Sequence, residues 1–233
     1  AINGFLPMNI VSLVSVDMYS IIFNDNLKLK WIFSKYYKKL KKFKIIKLKI
    51  ELKNSLEDIR KILESGTSQK KIEVLETLSN TNNLKILQQI ILRLNDDSIQ
   101  VRGEAFNALL LNQNKISKIL IDNLSSPNKN IKGFTSLVLA NRNEKSAIPE
   151  IIKIVNDKHG MVRSCAIGAL GYLKAEKITD VILNALSDTN LEVQKSALQA
   201  VIQMNIFVTK EKVEEIEKNP NPQIKNLLLK LKK

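Results

Sequence analysis

Apolar residues along this chain repeat on two scales. The longer is set by five pairs, Val101-Arg102, Ile131-Lys132, Val162-Arg163, Val193-Gln194 and Ile224-Lys225, at spacings of 30, 31, 31 and 31 residues. A fixed period of about this length marks a repeat architecture. The shorter scale is helical. With the Val or Ile of each pair at position 0, position +4 is Ala105, Thr135, Ala166, Ala197 and Leu228, and position +7 is Ala108, Val138, Ala169, Ala200 and Leu231. These three positions share one helix face. Each unit is therefore predicted to carry a helix B whose small apolar face lets neighbours approach closely. Upstream, position −11 is Ile90, Leu120, Ile151 and Ile182, and position −7 is Leu94, Leu124, Val155 and Leu186. That i, i+4 stripe predicts a preceding helix A.

A turn-type residue, Asp96, Ser126, Asp157, Asp188 or Asn219, stands five residues before each pair. Asp there is suited to hold free N–H groups where helix B starts. Pro127 and Pro222 fall at comparable turn sites, where proline is tolerated at a helix start. The pattern extends both ways. Lys70 takes the valine's place one period before Val101, while Val74 and Leu78 keep the later apolar positions. Near the other end, Val213 and Ile216 are predicted to lie in a shorter helix A before Pro220. About six helix pairs are expected over residues 54–233. The fold class is all-α, a right-handed superhelical solenoid, with residues 1–53 as a separate N-terminal extension.

Charge sharpens that division. The net charge is +14. Residues 1–53 hold eleven Lys against Asp17, Asp25 and Glu51, whereas residues 54–233 hold 26 basic and 20 acidic residues. Lys35, Lys38, Lys39, Lys41, Lys42 and Lys44 are the dense part of the basic run, interleaved with aromatic residues. Such a segment suits an anionic membrane surface or a phosphate backbone. The plainer expectation is a basic lead-in helix capping the open end of the solenoid, which terminal repeats need. Phe5–Phe23 reaches 19 residues, but Pro7, Asn9 and Asp17 argue against a membrane span, and a trimmed or poorly ordered leader is expected instead. Membrane-surface association would run through residues 5–50. Cys165 is the single cysteine, which excludes an intrachain disulfide, and a cytoplasmic location is expected.

The array resembles HEAT repeats, in particular the short HEAT-like repeats named after phycobilisome lyases. The residues that carry the resemblance are Val155-Asn156-Asp157 followed by Val162-Arg163-Ser164-Cys165-Ala166-Ile167-Gly168-Ala169-Leu170-Gly171, with Asp188 through Val201 nearly as close. The likeness covers about residues 80–205. It implies that the Arg pairs with the turn Asp of its own or a neighbouring repeat; Asp96 with Arg102 and Asp157 with Arg163 fit. Two enzyme relatives are tested by their motifs. Deoxyhypusine hydroxylases use repeated His-Glu pairs to hold iron, and no His-Glu pair exists here. HEAT-like alkylpurine DNA glycosylases gather aromatic and carboxylate residues on one face, whereas Phe106, Phe134, Tyr172 and Phe207 are thinly spread and read as core or groove filler.

Arg102, Lys132, Arg163 and Lys225 place one cation on most repeats. They form either an inter-repeat structural ladder, the preferred reading, or a phosphate-binding row. Gln194 interrupts the row, and among the other helix-B positions expected to be exposed, which include Glu104, Asn107, Ser136, Ser164 and Gln199, only Lys195 and Lys230 add charge. His159 is the one histidine and is read as a turn or surface residue. With Cys165 it falls short of the four ligands of a closed zinc site, and it has no catalytic partner. No metal, cofactor, catalytic residue or small-molecule substrate is expected. The expected function is non-enzymatic binding of a protein partner, such as an acidic segment. Nucleic acid is the alternative, and a lyase or hydroxylase activity is the least supported.

Overall fold

The computed structural model describes residues 56–218 and 221–231. The Lys-rich run and the apolar stretch before it lie outside the described residues. Within them the chain forms twelve α-helices in six A/B pairs and no strand. The pairs are α1 (Leu56–Ser65) with α2 (Ser68–Thr77), α3 (Leu84–Leu92) with α4 (Ile99–Leu110), and α5 (Ser117–Asp122) with α6 (Lys129–Asn141). They continue as α7 (Ile148–Lys153) with α8 (Gly160–Tyr172), α9 (Thr179–Ala185) with α10 (Leu191–Met204), and α11 (Lys210–Glu217) with α12 (Pro222–Leu231). The architecture is an all-α solenoid of HEAT/armadillo type.

The chain divides into two compact units, the first ending at Asn114 and the second beginning at Lys115. In the first, α4 packs on α2 and on α3, and α3 packs on α1. In the second, α6, α8, α10 and α12 stack in order, each against its own A helix. The small-residue face explains the stack. Positions 0, +4 and +7 are buried in α4, α6, α8 and α10. Two B helices approach closely at Gly171, where a Cβ would sit 2.6 Å from the Ala200 Cβ. Position −11 is fully buried in each of Ile90, Leu120, Ile151 and Ile182. Just after α7 the register slips by one residue, and Ile154 rather than Val155 fills the buried place next in the stripe.

Three sequence expectations need correction. The last A helix is not short: α11 has 8 residues against 6 in α5 and α7. Glu104, Ser136 and Ser164 are buried rather than exposed. The central B helices are covered on several sides, and a helix so enclosed must bury polar positions as well. Ser164 is satisfied there, with its Oγ 2.9 Å from the Ser196 Oγ on the next B helix. The turn Asp does not cap helix B. Ser98, Asn128 and Asn190 do so, accepting N–H bonds from the first turn. The Asp carboxylate instead accepts from the N–H two residues on, bracing the cap position: Asp96 Oδ1 from Ser98 at 3.1 Å, Asp157 Oδ1 from His159 at 2.9 Å and Asp188 Oδ1 from Asn190 at 2.8 Å.

Helices α6, α8 and α10 end alike. Asn143, Lys174 and Asn205, one per repeat at a 31-residue spacing, have left-handed φ values of 58°, 48° and 52°. The next N–H in each case, of Glu144, Ala175 and Ile206, returns to a helix carbonyl five residues back, which is the Schellman pattern.

Candidate functional site

Each turn Asp has one carboxylate oxygen free after bracing its own loop, and the stack brings a cation from the preceding B helix to it. Lys71 Nζ lies 2.7 Å from Asp96 Oδ2 and Lys132 Nζ 2.5 Å from Asp157 Oδ2. Arg163 makes the bidentate version, with Nη2 2.7 Å from Asp188 Oδ1 and Nε 2.7 Å from Asp188 Oδ2. Donor and acceptor are 25 residues apart in all three. The cation side chains are only 13–18% exposed and the carboxylates 7–14%. The sequence allowed pairing within a repeat or between repeats, and the carboxylate pairing is between repeats. The own-repeat bond exists too, but to backbone: Arg163 Nη1 donates to the Asp157 carbonyl at 2.9 Å.

The other positions complete or break the row. Arg102 Nη1 donates to the Asp96 and Asp97 carbonyls at 2.7 and 3.1 Å and has no carboxylate partner among the described residues. Gln194 keeps the own-turn bond, Nε2 to the Asp188 carbonyl at 2.7 Å, and lacks the charge for the rest. Lys225 is exposed on α12. Lys71 was missed in the sequence because Lys70 occupies the valine slot beside it. Its signal was its place one period before Arg102.

The electrostatics follow from this geometry. Burial disfavours the Asp157 carboxylate, but hydrogen bonds from Lys132 and from the backbone and ring of His159 outweigh it, and its pKa falls to about 2. The Arg163 hydrogen bonds likewise hold Asp188 below the ordinary carboxylate value, against burial. His159 stands at the N-cap of α8 without a side-chain capping bond, its Nδ1 2.9 Å from Asp157 Oδ1. Asp157 is thus already committed to the ladder, and Cys165 is buried. No group of three or more candidate metal ligands occurs among the described residues, and no helix there is long and apolar enough to cross a membrane.

The loops after α8 and α10 form a second feature. Leu173, Ala175 and Ile178 are buried, which turns Lys174, Glu176 and Lys177 outward. An open cavity of about 800 Å³ lies against these residues and Met204, Ile206 and Phe207. Phe106 and Phe134 are core residues, as expected. Phe207 is not: it is 81% exposed.

Comparison with known proteins agrees with the repeat. Residues 117–202 match the model of HEAT repeats, and residues 71–103 match that of the HEAT repeat associated with sister chromatid cohesion. No curated protein matches the chain. Among solved structures, a designed armadillo repeat protein in complex with the peptide (KR)4 is 16% identical, covering 76% of this chain and 98% of its own, with a TM-score of 0.46. A computationally designed armadillo repeat protein for modular peptide recognition is also 16% identical, with the same coverage and a TM-score of 0.45. An engineered protein is 18% identical over 76% of this chain and 95% of its own, with a TM-score of 0.45. The period, the helix pairs and the two matched segments agree on HEAT-type repeats over residues 71–103 and 117–202.

Proposed function

We propose that the array is a non-enzymatic scaffold that binds an acidic segment of a partner protein. The observation that carries this reading is how the ladder cations are used. Lys71, Lys132 and Arg163 are paired with carboxylates and largely buried, so the periodic cations hold helix pairs together. A surface tracking nucleic acid needs such cations free to neutralise phosphates. Stacked repeats of this kind act by presenting continuous surface. A net charge of +14 favours acidic partners over basic ones. The Val155–Gly171 motif supports the short phycobilisome-lyase-type variant of the repeat. With Cys165 as its single cysteine the chain needs no oxidising compartment, in keeping with a cytoplasmic location.

The test is fluorescence anisotropy with the full chain against a labelled Glu-rich peptide, duplex DNA and RNA from 50 to 200 mM salt. The reading predicts saturable peptide binding that outlasts the salt range. Duplex binding that falls roughly a thousandfold over that range, as for about six neutralised phosphates, and exceeds peptide binding at low salt would replace it with a nucleic-acid function.

A further inference from the structure

We infer that the edge formed by the loops after α8 and α10 is the docking site for a short partner segment that sets an apolar side chain among carboxylates. This rests on the protein-binding reading above and names its site.

The backbone is the first observation. Lys174 and Lys177 both adopt left-handed φ, 48° and 59°, within one loop. This conformation favours glycine, because a Cβ crowds the following carbonyl oxygen and costs stability there. Asn143 and Asn205, at the same place as Lys174 in neighbouring repeats, are the residues that tolerate it better. The Schellman end of α8 accounts for the left-handed φ at Lys174, where Gly or Asn would cost less than lysine, but it does not account for Lys177. Retained strain at a surface loop is a pointer to function.

The second observation is what the loop presents. No ion pair engages Lys174 or Lys177 among the described residues, although Glu176 lies between them. Beside them the next loop offers Phe207, 81% exposed, with Met204 and Ile206 along the same cavity. A large exposed aromatic gains most from being covered, and flanking cations select what covers it. The rim carries two cations against one carboxylate. The chain's own basic segment, Lys28–Lys53, has the same sign as the rim, and so does a second copy at +14. An oppositely charged segment of another protein is therefore the favoured occupant.

The probe is a short fluorescein-labelled peptide with Leu and Phe set among Glu residues. Its controls are a Glu/Ser analogue and a Lys/Leu/Phe analogue. Anisotropy with the full chain is expected to show the acidic apolar peptide binding at least roughly tenfold tighter than either control. The double variant Lys174→Gly, Lys177→Gly and the single variant Phe207→Ser should each weaken it by roughly tenfold. Glycine relieves strain, so the double variant should melt no lower than the parent, and lost affinity cannot be ascribed to unfolding. Peptide binding that neither variant alters would overturn this site and leave the scaffold reading intact. Absence of peptide binding to the parent chain would overturn both. Concentration-dependent self-association that Phe207→Ser abolishes, seen by sedimentation, would assign the patch to a second copy instead.

Discussion

Two sets of cations in the second unit have opposite fates. Lys132 and Arg163 lie between helix pairs, mostly out of water, each against a carboxylate of the next turn. Lys174 and Lys177 lie together in the loop after α8, exposed, in left-handed backbone and beside an uncovered Phe207. The residue types are nearly the same, and the surroundings decide the role. A buried cation must be paired or its desolvation is uncompensated, so the first set is structural. An exposed cation gains almost nothing for stability from a nearby charge, so the second set is free for a partner.

The largest effect that would break this contrast is at Arg163. Arg163→Ala leaves the Asp188 carboxylate partly buried without its partner and removes both bidentate bonds. A loss of about 2–4 kcal/mol is expected, below the full cost for a deeply buried pair. Thermal unfolding should fall by roughly 5–10 °C, with peptide affinity unchanged. Next is pH. The folded pKa of Asp157 is about 2, below its unfolded value, so the stability it contributes is fully present above about pH 4. It is lost as pH falls through 2, and Asp188 acts in the same direction. Roughly 1–2 kcal/mol should disappear over that window for Asp157, and the drop should be shallower in Asp157→Asn. Lys174→Gly reverses the sign: relief of the left-handed lysine should raise stability by about 1 kcal/mol in urea unfolding while weakening peptide binding. The smallest stability effect is at Phe207→Ser, within about 0.5 kcal/mol of the parent, because the ring is already in water.

Much of the fold was legible because packing writes a period into the sequence. Val101, Ile131, Val162 and Val193 with their +4 and +7 companions are buried where the helical face required. Four things were not legible, each for a physical reason. The ladder's partner lies 25 residues away, while Asp157 stands only six before Arg163, and sequence distance favours the nearer group. The nearer Asp does receive Arg163, but through its carbonyl. Glu104, Ser136 and Ser164 were read as exposed because a helical wheel knows one buried face, whereas α8, which carries Ser164, is enclosed by both neighbouring B helices and its own A helix. Phe207 lies in a loop, where no periodicity says which way a ring points. The clue to the loop edge was equally hidden, since left-handed φ at lysine has no sequence signature.

The most direct test of the contrast is thermal unfolding of Arg163→Ala beside Lys174→Gly, each against the parent chain. The account predicts shifts of opposite sign, a fall of roughly 5–10 °C for the first and a rise of about 2–4 °C for the second. An unchanged midpoint for Arg163→Ala would contradict it, because the ladder would then hold nothing together and its cations would be free for another role.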